Sequence, residues 1–162
     1  MKTLYLIGGT MGVGKTSVAR ELKKILPNAV MLDGDWCWYM DPFVVNEETK
    51  AMVQDNIHHL LTNFLHCSTI DNVIFCWVMH EQSIIDQVLL DLPDCRVVNI
   101  SLVCSEDALA QRLTRDIETG IRQPDIIARS TPRLPLYQAL NTEKLDTSSL
   151  TAREAAEKIA KK

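Results

Sequence analysis

The chain has 162 residues, 46% of them hydrophobic and 23% charged, which fits one domain with one core and argues against disorder. Its formal net charge of -4 supplies no bulk field for DNA, RNA or an anionic membrane, so a small molecule is the expected partner. The five cysteines are odd in number and irregularly spaced, a poor disulfide framework with no C-x-x-C pair for zinc.

Short apolar runs alternate with helical periods, the pattern of an α/β fold with a parallel sheet. Thr3 to Ile7 reads as a strand buried on both faces, and as an apolar run too short for a signal peptide. A glycine loop follows, then a helix from Lys15 to Leu26 carrying Val18, Ala19, Leu22 and Ile25 at helical spacing. Ala29 to Leu32 is a second strand, ending in Asp33-Gly34-Asp35. Glu47 to Leu65 is an amphipathic helix, Asn72 to Val78 a third strand, and Glu81 to Leu90 a third helix. Arg96 to Val103 is a fourth strand, after which Ser105 caps a helix with Leu109, Leu113 and Ile117 inward and Gly120 at its end. Residues 121 to 135 carry three prolines and three arginines and read as irregular, with a short helix near Leu136 to Leu140. A brief strand at Lys144-Leu145 and a final helix opened by the capping box Thr151-x-x-Glu154 complete the chain. No stretch approaches the roughly 18 apolar residues of a membrane span, so a soluble, reducing compartment, the cytoplasm, is expected.

The strongest motif is Gly9-Thr10-Met11-Gly12-Val13-Gly14-Lys15-Thr16, a full match to G-x-x-x-x-G-K-[ST] between a strand and a helix. Its glycines let consecutive N–H groups converge on an anion, and the helix N-terminus adds its dipole. Gly9, Met11, Gly12, Val13, Gly14, Lys15, Thr16 and Ser17 are thus candidates for holding the phosphates of ATP. Lys15 is expected at the β- and γ-phosphates, and the Thr16 hydroxyl on Mg²⁺.

Asp33 and Asp35 lie at the carboxyl edge of the sheet, where ligands of open α/β sheets bind. On an extended segment, side chains two apart point the same way. One carboxylate suits a metal-bound water and the other a substrate hydroxyl. The same triplet is also ordinary turn chemistry. Trp36, Trp38, Tyr39 and Trp77 fall near the same edge and suit either core packing or a flat wall for the acceptor. His80 follows the third strand and is a candidate for acceptor or phosphate contact, while His58, His59 and His66 have the spacing of no metal motif.

These residues together resemble the P-loop small-molecule kinases: shikimate kinase, gluconate kinase, adenylate kinase and chloramphenicol phosphotransferase. The resemblance spans nearly the whole chain and rests on Gly9 to Thr16, Asp33-Gly34-Asp35, the arginine segment from Arg112, and Leu145-Asp146-Thr147-Ser148. It implies a five-stranded parallel sheet in the order 2-3-1-4-5 between two helical layers, with a lid at about 115–133 in a single domain. It also implies transfer of the γ-phosphoryl group of Mg-ATP to a hydroxyl of a small molecule. In that reading Lys15, Asp35, Arg115 and Arg122 are catalytic, Arg112 and Thr147 lie by the adenine, and Thr16 and Asp33 serve the metal. Asp33, Asp35, Trp38, Trp77 and His80 face the acceptor, and Arg129 and Arg133 are weaker lid candidates. A monomer or homodimer is expected. The chain departs from shikimate kinase after its third strand, where Trp77-Val78-Met79-His80-Glu81 replaces a glycine-rich substrate loop, and no aspartate closes that strand. The competing class, a nucleotide-dependent switch, lacks here both a D-x-x-G and an N-K-x-D motif.

Overall fold

The computed structural model describes residues 1–162. Five parallel strands form one sheet in the order β2-β3-β1-β4-β5: β1 Thr3–Gly8, β2 Ala29–Asp33, β3 Asn72–Cys76, β4 Arg96–Val103 and β5 Glu143–Asp146. Parallel neighbours need crossovers, and α1 Lys15–Ile25, α2 Glu47–His66, α3 Gln82–Leu89, α4 Glu106–Glu118, α5 Ile126–Ser130 and α6 Ala152–Ala160 lie among them. The expected sheet order and the helices on both faces are therefore what the structure has.

The period-2 alternation of β1 builds two cores at once. Tyr5 and Ile7 point into a cluster with Val18, Ala19 and Leu22 of α1, Leu109 and Leu113 of α4, and Ala155, Ala156 and Ile159 of α6. Leu4 and Leu6 point the other way, onto Val53, Ile57 and Leu61 of α2 and Ile85 and Val88 of α3. A central strand buried on both faces must be continuously apolar, which is why Leu4-Tyr5-Leu6-Ile7 carries no polar break. Cys76 and Cys104 are buried, and all five cysteines are free thiols.

Apart from one-residue shifts at element ends, two readings differ from the structure. β3 stops at Cys76, not Val78. Its hydrogen bonding to the β1 side persists through Trp77 N–H to Ile7 O (3.1 Å) and Gly9 N–H to Val78 O (3.3 Å), and then Met79 turns the chain away at φ 38°. Residues 121 to 135 are irregular only as far as Asp125: from Ile126, α5 runs into a 3-10 helix at Thr131–Ala139. Ile126, Ser130, Leu134 and Tyr137 are its buried side, spaced four, four and three apart. That period was legible, but the prolines at 124, 132 and 135 masked it. Pro132 stands at the start of the 3-10 helix, where a missing N–H costs little, and Pro135 is carried inside it.

Candidate functional site

Most of the residues singled out in the sequence gather at the carboxyl ends of the strands. A cleft of about 1150 Å³ opens there, lined by the loop from Met11 to Ser17, by Asp35, Trp38, Trp77, His80 and Glu81, and by Arg112, Arg115, Arg122, Arg129, Arg133 and Thr147.

The loop Gly9 to Thr16 joins β1 to α1, and Gly14 caps α1 in a left-handed conformation without a side-chain cap. The first N–H groups of α1 consequently keep their hydrogen-bonding capacity for an anion. Gly12 has no alternative: it sits at φ 86°, and a Cβ there would lie 2.3 Å from Leu113 Cδ2. The loop thus rests directly on α4. Lys15 Nζ donates to Thr10 O at 3.0 Å, and burial pulls its amine down to about 8, against the attraction of Asp35. A flexible four-carbon stem lets that ammonium re-aim at a phosphate oxygen without moving the backbone.

A buried hydroxyl pair holds the loop from the other side. Thr10 Oγ1 donates to Ser130 O at 2.8 Å, and Ser130 Oγ donates to Met11 O at 2.5 Å. Both side chains are fully buried. Nothing in the sequence marked this pair, because a serine in a proline-rich stretch and a threonine inside a motif's free positions carry no periodic signal.

Asp33 and Asp35 do not point the same way. β2 ends at Asp33, and Gly34–Trp38 is a 3-10 turn whose N-cap is the Asp33 side chain, Oδ1 accepting from Asp35 N–H at 3.0 Å. The triplet is thus a turn at the carboxyl edge of the sheet, and of its two carboxylates Asp35 lines the cleft. Asp33 Oδ2 accepts from the Thr16 hydroxyl at 2.7 Å. Asp33 is buried, facing Thr16 and not the cleft, so its assignment to acceptor contact does not match its position. Asp35 does face the cleft. Lost hydration and the neighbouring Asp33 raise its carboxyl, while Lys15, the Trp77 indole and Arg122 oppose the rise. Gly34 permits the arrangement by close approach: a Cβ on it would lie 2.5 Å from Trp77 Cγ. Trp77 therefore lies against the acidic turn, 6.2 Å from the ring of Phe75.

Arg112 is the most heavily engaged arginine. Its Nη1 donates to Val13 O and to Thr147 Oγ1, both at 3.1 Å, and its Nη2 donates to Thr147 O at 2.5 Å. It thereby ties the phosphate loop to the loop after β5. Arg115 is exposed, lines the cleft and makes no ion pair. Arg122 pairs with Asp116 at 3.2 Å, held in a tight turn by the N–H groups of Ile121 and Arg122 on Asp116 O. Arg129 pairs with Asp125 at 3.4 Å. Burial first and the unpaired Arg133 second hold His80 below the usual histidine range, partly offset by Glu81 at 3.4 Å. Tyr137 was not foreseen: its buried hydroxyl donates to Val78 O at 2.6 Å, fixing the segment from Trp77 to His80. Trp36 does not line the cleft, whereas Trp38 and Tyr39 do.

For a divalent cation the site offers two adjacent oxygens, Thr16 Oγ1 and Asp33 Oδ2, and no cluster of three or more acidic, histidine or cysteine ligands. That donor set fits Mg²⁺, which keeps most of its waters and takes one or two protein oxygens plus phosphate.

No curated protein matches the sequence. Among solved structures, the tunicamycin resistance protein of Deinococcus radiodurans superposes with a TM-score of 0.71 at 18% identity, covering 99% of this chain and 95% of that one. A gluconokinase from Sinorhizobium meliloti 1021 gives 0.67 at 18% identity, covering 98% and 92%. A shikimate kinase from Acinetobacter baumannii in complex with shikimate gives 0.63 at 21% identity, covering 98% and 90%. At such identities the likeness establishes a shared fold. A family model described as an AAA domain matches residues 6–128, and the chain belongs to that family, with the fold of the P-loop small-molecule kinases.

Proposed function

We propose that the protein transfers the γ-phosphoryl group of Mg-ATP to a hydroxyl of a small molecule. One observation carries this reading: a complete phosphate loop and a cleft-facing carboxylate, Asp35, open into the same cleft, electrostatically coupled through Lys15.

In this reading the N–H groups of the loop and the ammonium of Lys15 hold the phosphates. Thr16 and Asp33 hold Mg²⁺, which when bound supplies charge neutralisation on the phosphate oxygens. Arg112 and Thr147 frame the adenine. Asp35 orients the acceptor hydroxyl and receives its proton; a carboxyl raised by lost hydration is a better proton acceptor than one at its ordinary value. Arg115 and Arg122 neutralise charge on the phosphoryl group in flight, the main task in this chemistry. Trp38, Trp77 and His80 border the acceptor. The lid proposed for residues 115–133 would move chiefly in its first part, since Ile126 and Ser130 are buried and Ser130 is tied to the phosphate loop. Closure there excludes water and limits ATP hydrolysis. The setting proposed is the cytoplasm, with the protein acting as a monomer or homodimer.

The test is Asp35→Asn. It should leave ATP affinity nearly intact and lower transfer by about 10²-fold or more, the usual range for a positioned base. Unchanged transfer would remove Asp35 from its role.

A further inference from the structure

The chain between the acidic turn and α2 reads Trp36-Cys37-Trp38-Tyr39-Met40-Asp41-Pro42-Phe43-Val44-Val45, with Asp41 its only charge. Eleven large apolar residues of the protein have exposed side chains, and six of them fall between Trp36 and Met52. Tyr39 is 97% exposed, Phe43 66% and Val45 53%. Runs of exposed apolar residues are a liability unless they serve binding.

This stretch is a strap fixed at both ends and free between them. Asp33 caps the 3-10 turn before it, and the Asn46–Thr49 capping box anchors α2 after it. From Tyr39 to Val45 no residue belongs to a helix or strand or makes a hydrogen bond, and the aromatic contact there is Phe43 on Trp38 at 5.7 Å. Its apolar side chains are continuous with the reaction site: Trp38, Tyr39, Phe43 and Val45 line the same cleft as Lys15, Asp35 and Trp77.

We infer that the acceptor is an amphiphile, its hydroxyl-bearing end at Asp35 and an apolar body lying along Trp38 and Trp77 beneath the strap. The inference rests on the phosphotransferase reading and names its substrate class. A wholly polar sugar would leave Tyr39, Phe43 and Val45 wet after closure, whereas an apolar body removes them from water and supplies the free energy that orders the strap. A second copy of the chain would also cover the patch, but that gives no reason for the patch to run into the cleft that holds Asp35.

The protein reports on itself, since its three tryptophans, Trp36, Trp38 and Trp77, all lie at this end of the sheet. Ethyl, butyl, hexyl and octyl β-D-glucosides, each below its critical micelle concentration, are titrated into the Mg-ATP-loaded protein with tryptophan emission as readout. Parallel titrations use Phe43→Ser/Val45→Ser, whose two sites are exposed and leave the cores intact. Kd should fall about fourfold for each added methylene in the wild type and clearly less steeply in the variant, which keeps Trp38 and Trp77 but loses the strap's apolar cover. Equal affinity along the series overturns the inference, and so does a chain-length dependence as steep in the variant as in the wild type. A concentration-dependent dimer by sedimentation, lost in the variant and accompanied by no glucoside preference, assigns the strap to a second copy and also overturns it. ATP binding is measured separately. ATP bound with no chain-length effect sinks this inference alone. A chain-length effect with no ATP binding supports the amphiphile site and removes the phosphotransferase reading.

Discussion

The Thr16 hydroxyl donates to Asp33 Oδ2 at 2.7 Å, joining the phosphate loop to the end of β2. The second oxygen of the same buried carboxylate holds Asp35 N–H. One side chain therefore sets both the candidate metal position and the turn that presents Asp35. Asp33→Asn keeps the shape but removes the charge and one acceptor. Transfer should fall by about 10²-fold, within the range for displaced catalytic geometry, with a higher Mg²⁺ concentration needed for half-maximal rate. A Mg²⁺ titration of the transfer rate checks this, and an unchanged midpoint would place the metal elsewhere.

Arg112 spends its guanidinium on two carbonyls and a hydroxyl, Val13 O, Thr147 O and Thr147 Oγ1. Arg112→Met preserves the stem and removes the fork. Charged hydrogen bonds contribute roughly 1.5–3 kcal/mol before solvent screening, so a loss of about 1–2 kcal/mol in stability is expected at this half-exposed site. ATP affinity should drop about tenfold, since the loops on either side of the proposed adenine position lose their tie. Thermal unfolding with and without ATP measures both effects. A variant as stable as the wild type with unchanged ATP affinity would show that the tie is incidental.

Much of this was legible in the sequence, and what was not has a physical reason. The loop, the sheet order through the resemblance, and the capping box at Thr151 depend on local motifs, and they hold in the structure. The acidic triplet was located but misoriented, because the extended geometry assumed for it gave way to an Asx-capped 3-10 turn packed on Trp77. Tyr137 and Ser130 were missed because their roles are hydrogen bonds to backbone carbonyls 59 and 119 positions away. No window of sequence contains such a contact.

Those buried hydroxyls make a clean energetic test. Thr10 and Ser130 share two contacts at 2.8 Å and have no access to water. Ser130→Ala leaves Thr10 Oγ1 with the carbonyl at 130 and leaves Met11 O without its donor, costing about 1–3 kcal/mol. Thr10→Val should cost a similar amount. The double variant should be less destabilised than the sum by at least about 0.5 kcal/mol, as coupled neighbours are. Strict additivity in urea unfolding would deny the coupling.

Lys15 predicts a pH signature of fixed sign. Burial holds its amine at about 8, against 10.5 for an ordinary lysine. Between those values the unfolded chain keeps a proton that the folded chain has released, so this group makes stability rise with pH across the window. Below about 8 both states are protonated and its slope vanishes. Burial raises the Cys76 thiol and the Tyr137 hydroxyl, which gives the opposite slope, so the lysine is isolated by difference. Wild type should gain stability relative to Lys15→Met from pH 8 to 10 in ATP-free urea titrations. ATP binding at pH 8 should take up about half a proton as the triphosphate restores the ammonium, measured by calorimetry in buffers of different ionisation enthalpy. No gain and no uptake would mean that Lys15 does not face the phosphates.

The central claim is transfer of a phosphoryl group to an alcohol. Its most direct measurement is ³¹P NMR of Mg-ATP incubated with the protein and a panel of hydroxyl compounds spanning nucleosides, sugar acids and amphiphilic alcohols. The account predicts a new phosphomonoester resonance with at least one of them, growing as the γ-phosphate signal declines and absent with Lys15→Ala. ATP bound through the loop, with no phosphomonoester from any class of alcohol, would contradict it and leave a nucleotide-binding module.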